Sequence, residues 1–194
     1  TPNLARCASI LGVAREVAAL TGAELRQPSY EVGWTGPALQ GRVRLEIRQA
    51  ELNPRFVLGL IEGVHIGPSP YQVQRRLRLA GMRPINNIVD ATNYAMLEVG
   101  QPLHAFDYEV LLQRSGGEPP TVITRLPESG EHLTTLDGVQ RSLDDFTILV
   151  ADTQGALSIG GVMGGAESAA GQRTNTVLLE GAARNFLNIR RTVA

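Results

Sequence analysis

Residues 82–107 read MRPINNIVDATNYAMLEVGQPLHAFD. The apolar set Ile85, Ile88, Val89, Ala91, Ala95, Met96 and Val99 recurs at helical spacing, and Gly100 supplies a stop. The same stretch also carries three Asn, two Asp, a Thr, a Gln and a His. Asn, Asp and Thr are mediocre helix formers because their side chains compete for backbone hydrogen bonds. Asn86, Asp90 and Asn93 are spaced to share one helix face. Such residues need a compensation: a buried polar network that ties down the following loop, or a ligand facing the helix. Gln101-Pro102-Leu103-His104 then reads as a rigid loop that folds back over the helix end.

Upstream, SPYQVQRRLRLAG (69–81) predicts a second helix, with Ser69 as cap, Pro70 at the first helical position, Gln72 completing a capping box and Gly81 ending it. Residues 9–21 predict a third, capped by Ser9 and stopped by Gly22. The Pro/Gly-rich run 26–41 has no periodicity and predicts a linker, with a helical segment over 1–40 and the main domain over 41–194. VRLEIR (43–48) alternates as a half-buried strand does, and RFVLGLIEGV (55–64) predicts a more fully buried one. Downstream strand candidates are TVITRL (121–126), FTILVAD (146–152), ALSIGGV (156–162) and TVLLEGA (176–182), joined by turns such as Leu136-Asp137-Gly138. Runs of strands with a few packed helices predict an α+β fold with mixed or antiparallel sheet layers.

The composition, 43% hydrophobic and 19% charged, is that of an ordinary globular chain. Aromatics are only 5%, which predicts a core of Leu, Val, Ile and Ala. No run approaches the apolar length of a membrane span, and Arg6, Arg15 and Glu16 break any signal-peptide pattern. There is no initiator Met, which points to a fragment or a processed chain. A single cysteine, Cys7, permits no internal disulfide and reads as cytoplasmic. The net charge of −1 excludes the chain as a whole acting as an electrostatic magnet for nucleic acid. All 18 basic residues are arginine, which genome composition and phosphate recognition would each explain.

Three features carry candidate chemistry. His104 is read either as a satisfied loop histidine or as a catalyst. LSIGGVMGGAES (157–168) holds four glycines but neither a phosphate loop nor a dinucleotide fingerprint; it is a tight turn, or a place where backbone approaches something closely. Glu180, at the end of a hydrophobic strand, stands either at a solvent-facing edge or buried with a partner. His65 and His132 sit in turn-like contexts, no histidine or cysteine spacing suggests zinc, and no nucleophile elbow is present.

Taken together, GPSPYQVQRRLRLAGMRPINNIVDATNYAMLEVGQPLHAFD, LTTLDGVQRSLDDFTILVAD, LSIGGVMGGAES and VLLEGAARNFLNIRRTVA closely resemble the bacterial phenylalanyl-tRNA synthetase beta subunit in its central editing domain. The opening segment is similar to the one preceding that domain, with Leu4 and Arg6 where the family has Arg and Asp. The resemblance implies hydrolysis of tyrosine esterified by mistake to tRNA(Phe), a second sieve after an imperfect synthetic site. It implies that Glu180 accepts the tyrosine hydroxyl with a backbone N–H from Gly161, and that His104 orients the ester or the attacking water. It further implies that Thr92 and Asn93 line the aminoacyl group, Pro102 shapes a wall, Arg83 lies near the tRNA end and Gly164 keeps the pocket floor small. A pocket that tunes His104 near neutrality would add acid–base assistance. No cofactor is implied in this region, since ATP and Mg2+ belong to the synthetic site elsewhere in the enzyme. The partners implied are the tyrosine-bearing acceptor end of tRNA(Phe) and the synthetase alpha subunit, in the cytoplasm and without a membrane. A further Thr and Ala of the family's pocket would fall beyond Ala194. The alternative is a non-catalytic tRNA-binding or structural module, with Arg75, Arg76, Arg78, Arg190 and Arg191 on phosphates.

Overall fold

The structure is a computed structural model that describes residues 4–33 and 35–193; Thr1-Pro2-Asn3 of the opening motif lie outside the described residues. Contacts divide the chain into two compact units. One takes the chain up to Ala38 together with Pro68–Leu103; the other takes Leu39–Gly67 and the chain from His104 onward. The sequence, by contrast, suggests one division at residue 40, at the Pro/Gly-rich run 26–41, because the two helices within 69–99 have strands on both sides along the chain.

The first unit is helical. α1 (Ile10–Thr21) has the predicted caps: Ser9 Oγ accepts from Gly12 N, and Gly22 takes the left-handed conformation at φ 72°. α2 (Tyr71–Leu79) and α3 (Asn87–Val99) follow, and α3 packs against both α1 and α2. Ser69 does not cap α2. It is buried, and its hydroxyl donates to Asp90 Oδ2 at 2.6 Å, while Gln74, not Gln72, reaches back to the Ser69 carbonyl. Asn86 likewise lies outside the helix face: its Oδ1 accepts from Ile88 N and Val89 N as the N-cap of α3. Asp90, 1% exposed, also accepts from Ile85 N at 2.7 Å. Much of the polar content of 82–93 is thus a cap and a buried strut that fix the α2–α3 connection.

The second unit is built on sheets. β1 (Arg44–Ile47), β4 (Thr121–Arg125), β7 (Leu149–Asp152), β8 (Gly155–Ile159) and β9 (Met163–Gly164) form one sheet in the order β1-β4-β7-β8-β9. The β1–β4 pair is parallel and the rest antiparallel, so the sheet is mixed. β2 (Arg55–Ile61), β10 (Val177–Ala183) and β3 (Leu103–Asp107) form a second sheet in the order β2-β10-β3, and β5 (His132–Thr134) pairs with β6 (Gln140–Ser142) around the Leu136-Asp137-Gly138 turn. α4 (Tyr108–Arg114) and α5 (Phe186–Val193) complete it.

Several expectations need correction. β1 forms, but all four residues are exposed because it is an edge strand. β2 buries only Phe56 fully. The loop read over Gln101–His104 ends at Pro102, since Leu103 already begins β3. The main core cluster unites Phe56, Phe106 and Tyr108 with Leu111, Val122, Val150, Leu157 and Leu178, so three aromatics join the aliphatic residues expected there, while Tyr71 and Phe186 stay exposed.

Candidate functional site

β10 pairs antiparallel with β2, and Glu180 stands opposite Leu58. Strand alternation puts Glu180 on the face of Leu178, which is fully buried, and the carboxylate is accordingly 3% exposed. The edge alternative is therefore excluded. A carboxylate held out of water needs a charged or hydrogen-bonding partner. Arg184 supplies it: its Nη2 donates to Glu180 Oε1, and both side chains are buried. Burial pushes the Glu180 carboxyl above its ordinary value, against the opposing pull of the Arg184 charge and hydrogen bond.

Arg184 was not foreseen, although a signal was available. Residues four apart on an extended segment share a face, so an Arg at that distance from a buried Glu is a natural partner. Its guanidinium lies 5.9 Å from the centroid of the Phe56 ring. Below it run the glycines that turn β8 into β9. A Cβ at Gly160 would meet Arg184 Nε at 2.6 Å, and one at Gly161 would meet Ile189 Cδ1 at 3.1 Å and Arg184 Cδ at 3.6 Å. Gly161 also holds φ 75°, so the turn and the close approach are both real. Among the described residues Arg184 Nε has no hydrogen-bond partner despite being buried.

His104 is on strand β3, beside β10 in the same sheet. Its ring meets Phe106 edge-on at 4.4 Å between centroids. Gly164 brings backbone close to the ring, since a Cβ there would sit 2.5 Å from His104 Cε1 and 3.0 Å from Leu136 Cδ1. Nε2 is buried and finds no partner among the described residues, so His104 is not a satisfied structural histidine. Burial, and secondarily the Arg184 charge, lower its pKa from 6.5 to about 4. The ring is thus held neutral, well below the near-neutral tuning expected from the sequence.

His104, Glu180, Gly161 and Gly164 therefore come together in the second unit around Arg184. Thr92 and Asn93 lie on α3 in the helical unit, half-buried, with the Thr92 hydroxyl donating to Val89 O at 2.8 Å. Arg83 and Pro102 are exposed in that same unit. His65 Nδ1 lies 3.1 Å from Gly63 O, and His132 is an exposed residue of β5. Chemically, the second-unit cluster offers a buried acceptor of hydrogen bonds, a neutral imidazole with an unused ring nitrogen, and walls made of glycine backbone.

Comparison with known proteins places these residues in a family. The chain is 49% identical over 192 residues to the phenylalanine–tRNA ligase beta subunit of Moorella thermoacetica, covering 99% of this chain and 23% of that protein. It is 45% identical over 190 residues to the corresponding subunit of Symbiobacterium thermophilum, covering 97% of this chain and 20% of that one. It therefore spans less than a quarter of the length of these relatives. A crystal structure of an N-terminal fragment of the phenylalanyl-tRNA synthetase beta subunit from Pyrococcus horikoshii matches over 96% of this chain and 54% of that one, with a TM-score of 0.53 at 16% identity, which supports the α+β fold. Residues 52–194, the greater part of the chain and all of the Glu180–Arg184–His104 cluster, match the B3/4 domain. The chain belongs to the B3/4 domain family.

Proposed function

We propose that this chain is the editing part of a phenylalanine–tRNA ligase beta subunit and hydrolyses tyrosine wrongly esterified to tRNA(Phe). The observation that supports this reading most is the buried Glu180 carboxylate. Its only hydrogen bond among the described residues engages Oε1 and comes from Arg184, which packs on Gly160 and Gly161, while Gly164 packs on His104, whose Nε2 finds no partner among the described residues. A phenol can donate to such an acceptor. A bare benzene ring would leave it unpaired, at about 1–3 kcal/mol or more for a charged group.

In the reaction, a water oxygen bonds to the aminoacyl carbonyl carbon and the bond from that carbon to the ribose oxygen breaks. The proton lost by the water ends on the ribose oxygen. His104, neutral at physiological pH, orients the water or the ester through a hydrogen bond rather than by carrying charge. Gly161 and Gly164 keep side chains out of the cleft. The family resemblance assigns Thr92, Asn93 and Pro102 to the aminoacyl group and Arg83 to the tRNA end. The whole subunit works in the cytoplasm with the alpha subunit, and ATP and Mg2+ act at a separate synthetic site. No helix among the described residues is long and apolar enough to cross a membrane.

The test is deacylation of labelled Tyr-tRNA(Phe) by the full-length subunit in its complex, at two salt concentrations. Turnover of the tyrosyl ester well above that of the phenylalanyl ester supports hydrolysis. Salt-sensitive binding without turnover would instead favour a positioning module that uses exposed arginines such as Arg75 and Arg78.

A further inference from the structure

We propose that Arg184 is the specificity-positioning residue of the site: it acts through Glu180, holding Oε1 so that Oε2 is presented to the para-hydroxyl of the substrate ring. The inference rests on the editing reading above and deepens it. Four observations carry it.

First, the only hydrogen bond to the Glu180 carboxylate among the described residues comes from Arg184 and uses Oε1. An acceptor that must read a single hydroxyl has to be fixed in place, and a flexible Glu side chain is fixed here by one guanidinium. Second, Arg184 has no freedom of its own. Phe56 lies 5.9 Å from it on one side, and the missing side chain of Gly160 makes the room that Nε and Cζ occupy, at 2.6 Å and 3.2 Å from where a Cβ would be. Third, the pair is dry, with both side chains less than one-tenth exposed. There the charge of Arg184 opposes the cost of keeping a carboxylate ionised away from water. Fourth, the same charge reaches His104 and helps to hold that ring neutral. Among the described residues Arg184 is the charged group that acts on Glu180, while His104 on neighbouring β3 is held neutral, so removal of Arg184 leaves the carboxyl with no cation.

The role differs from a generic buried ion pair in one measurable respect. If Arg184 acts only through Glu180, its contribution to discrimination vanishes once Glu180 can no longer accept as a carboxylate. The experiment is a double-mutant cycle in the full-length subunit within its complex, reading the ratio of Tyr-tRNA(Phe) to Phe-tRNA(Phe) hydrolysis for the parent, Arg184→Met, Glu180→Gln and the double variant. Each single variant is expected to lower the ratio by about tenfold or more, and the double variant to equal Glu180→Gln within about twofold. Arg184→Lys keeps a cation but not the flat fork, and is expected to fall between the parent and Arg184→Met. In Arg184→Met the ratio is also expected to recover as pH rises, because burial raises the Glu180 carboxyl and no cation then opposes it.

If Arg184→Met does not fold, Arg184→Lys and the double variant, which carries no buried unpaired charge, still decide the question. Additive losses in the cycle, or a ratio in Arg184→Lys equal to the parent's at every pH, overturn the inference while leaving the editing reading in place. A parent that hydrolyses both esters equally overturns the editing reading and this inference with it.

Discussion

Gly164 stands where any side chain would enter the His104 ring: a Cβ on it would lie 2.5 Å from Cε1 and 3.2 Å from Nε2. The imidazole is also packed against Phe106, fully buried, with ring centroids 4.4 Å apart. The contact ties the shape of the glycine turn to the placement of Nε2, which has no partner among the described residues.

Gly164→Ala is therefore expected to displace His104 and lower the rate of Tyr-tRNA hydrolysis by about tenfold or more, since misplacing a reacting group by an ångström can cost a hundredfold. Gly165→Ala should behave differently. Its Cβ would strike the carbonyl oxygen of Leu157 at 2.3 Å, a backbone atom of β8 that cannot swing aside. That variant should lose about 2–3 kcal/mol of stability. Parallel thermal melts and deacylation rates separate the two; equal effects on stability would contradict the assignment.

The lowered pKa of His104 has a thermodynamic consequence. The unfolded chain binds this proton near pH 6.5, whereas the folded chain resists it until about pH 4. Between those values the unfolded state holds more protons, so stability falls as pH drops through the window, by at most about 3 kcal/mol from this group. His104→Gln removes the term. Urea unfolding of both proteins at several pH values from 7.5 to 4 should show a steeper loss for the parent. Parallel curves would mean that the ring is already protonated or well hydrated in the folded protein.

Asp90 is expected to be the strut of the helical unit. It is 1% exposed and accepts from the Ser69 hydroxyl and from Ile85 N. Asp90→Ala strands both donors and should cost about 3 kcal/mol, while Ser69→Ala should cost about 1 kcal/mol. Denaturant titration followed by far-UV circular dichroism reads both. A loss under about 0.5 kcal/mol for Asp90→Ala would show that water replaces the carboxylate.

How much of this was legible depended on whether a residue's partner was near in sequence. α1 and the end of α3 could be read from Ser9, Gly22 and Gly100, because those caps satisfy backbone groups within a turn. Ser69 carries the local signature of a cap, yet its hydroxyl goes to Asp90, twenty-one residues away, where a buried carboxylate is the stronger acceptor. β3 was hidden by Pro102, which suggests a loop; only the second sheet, completed by β10, gives Leu103–Asp107 its pairing. α4 begins at Asp107, whose Oδ1 accepts from Val110 N as a cap should, but the acidic residue was read as the end of a motif. At the site, strand alternation alone left Glu180 undecided between edge and interior. Its burial follows from β2 and β3 flanking β10, and the role of Arg184 follows from that burial.

The most direct test of the central claim is the ratio of Tyr-tRNA(Phe) to Phe-tRNA(Phe) deacylation under single-turnover conditions for the full-length subunit in its complex, before and after Glu180→Ala. Loss of the one acceptor for the phenol should bring the ratio down by about 10–100-fold, chiefly through slower handling of the tyrosyl ester. A ratio unchanged by the substitution would contradict the claim that this buried acid distinguishes the two rings.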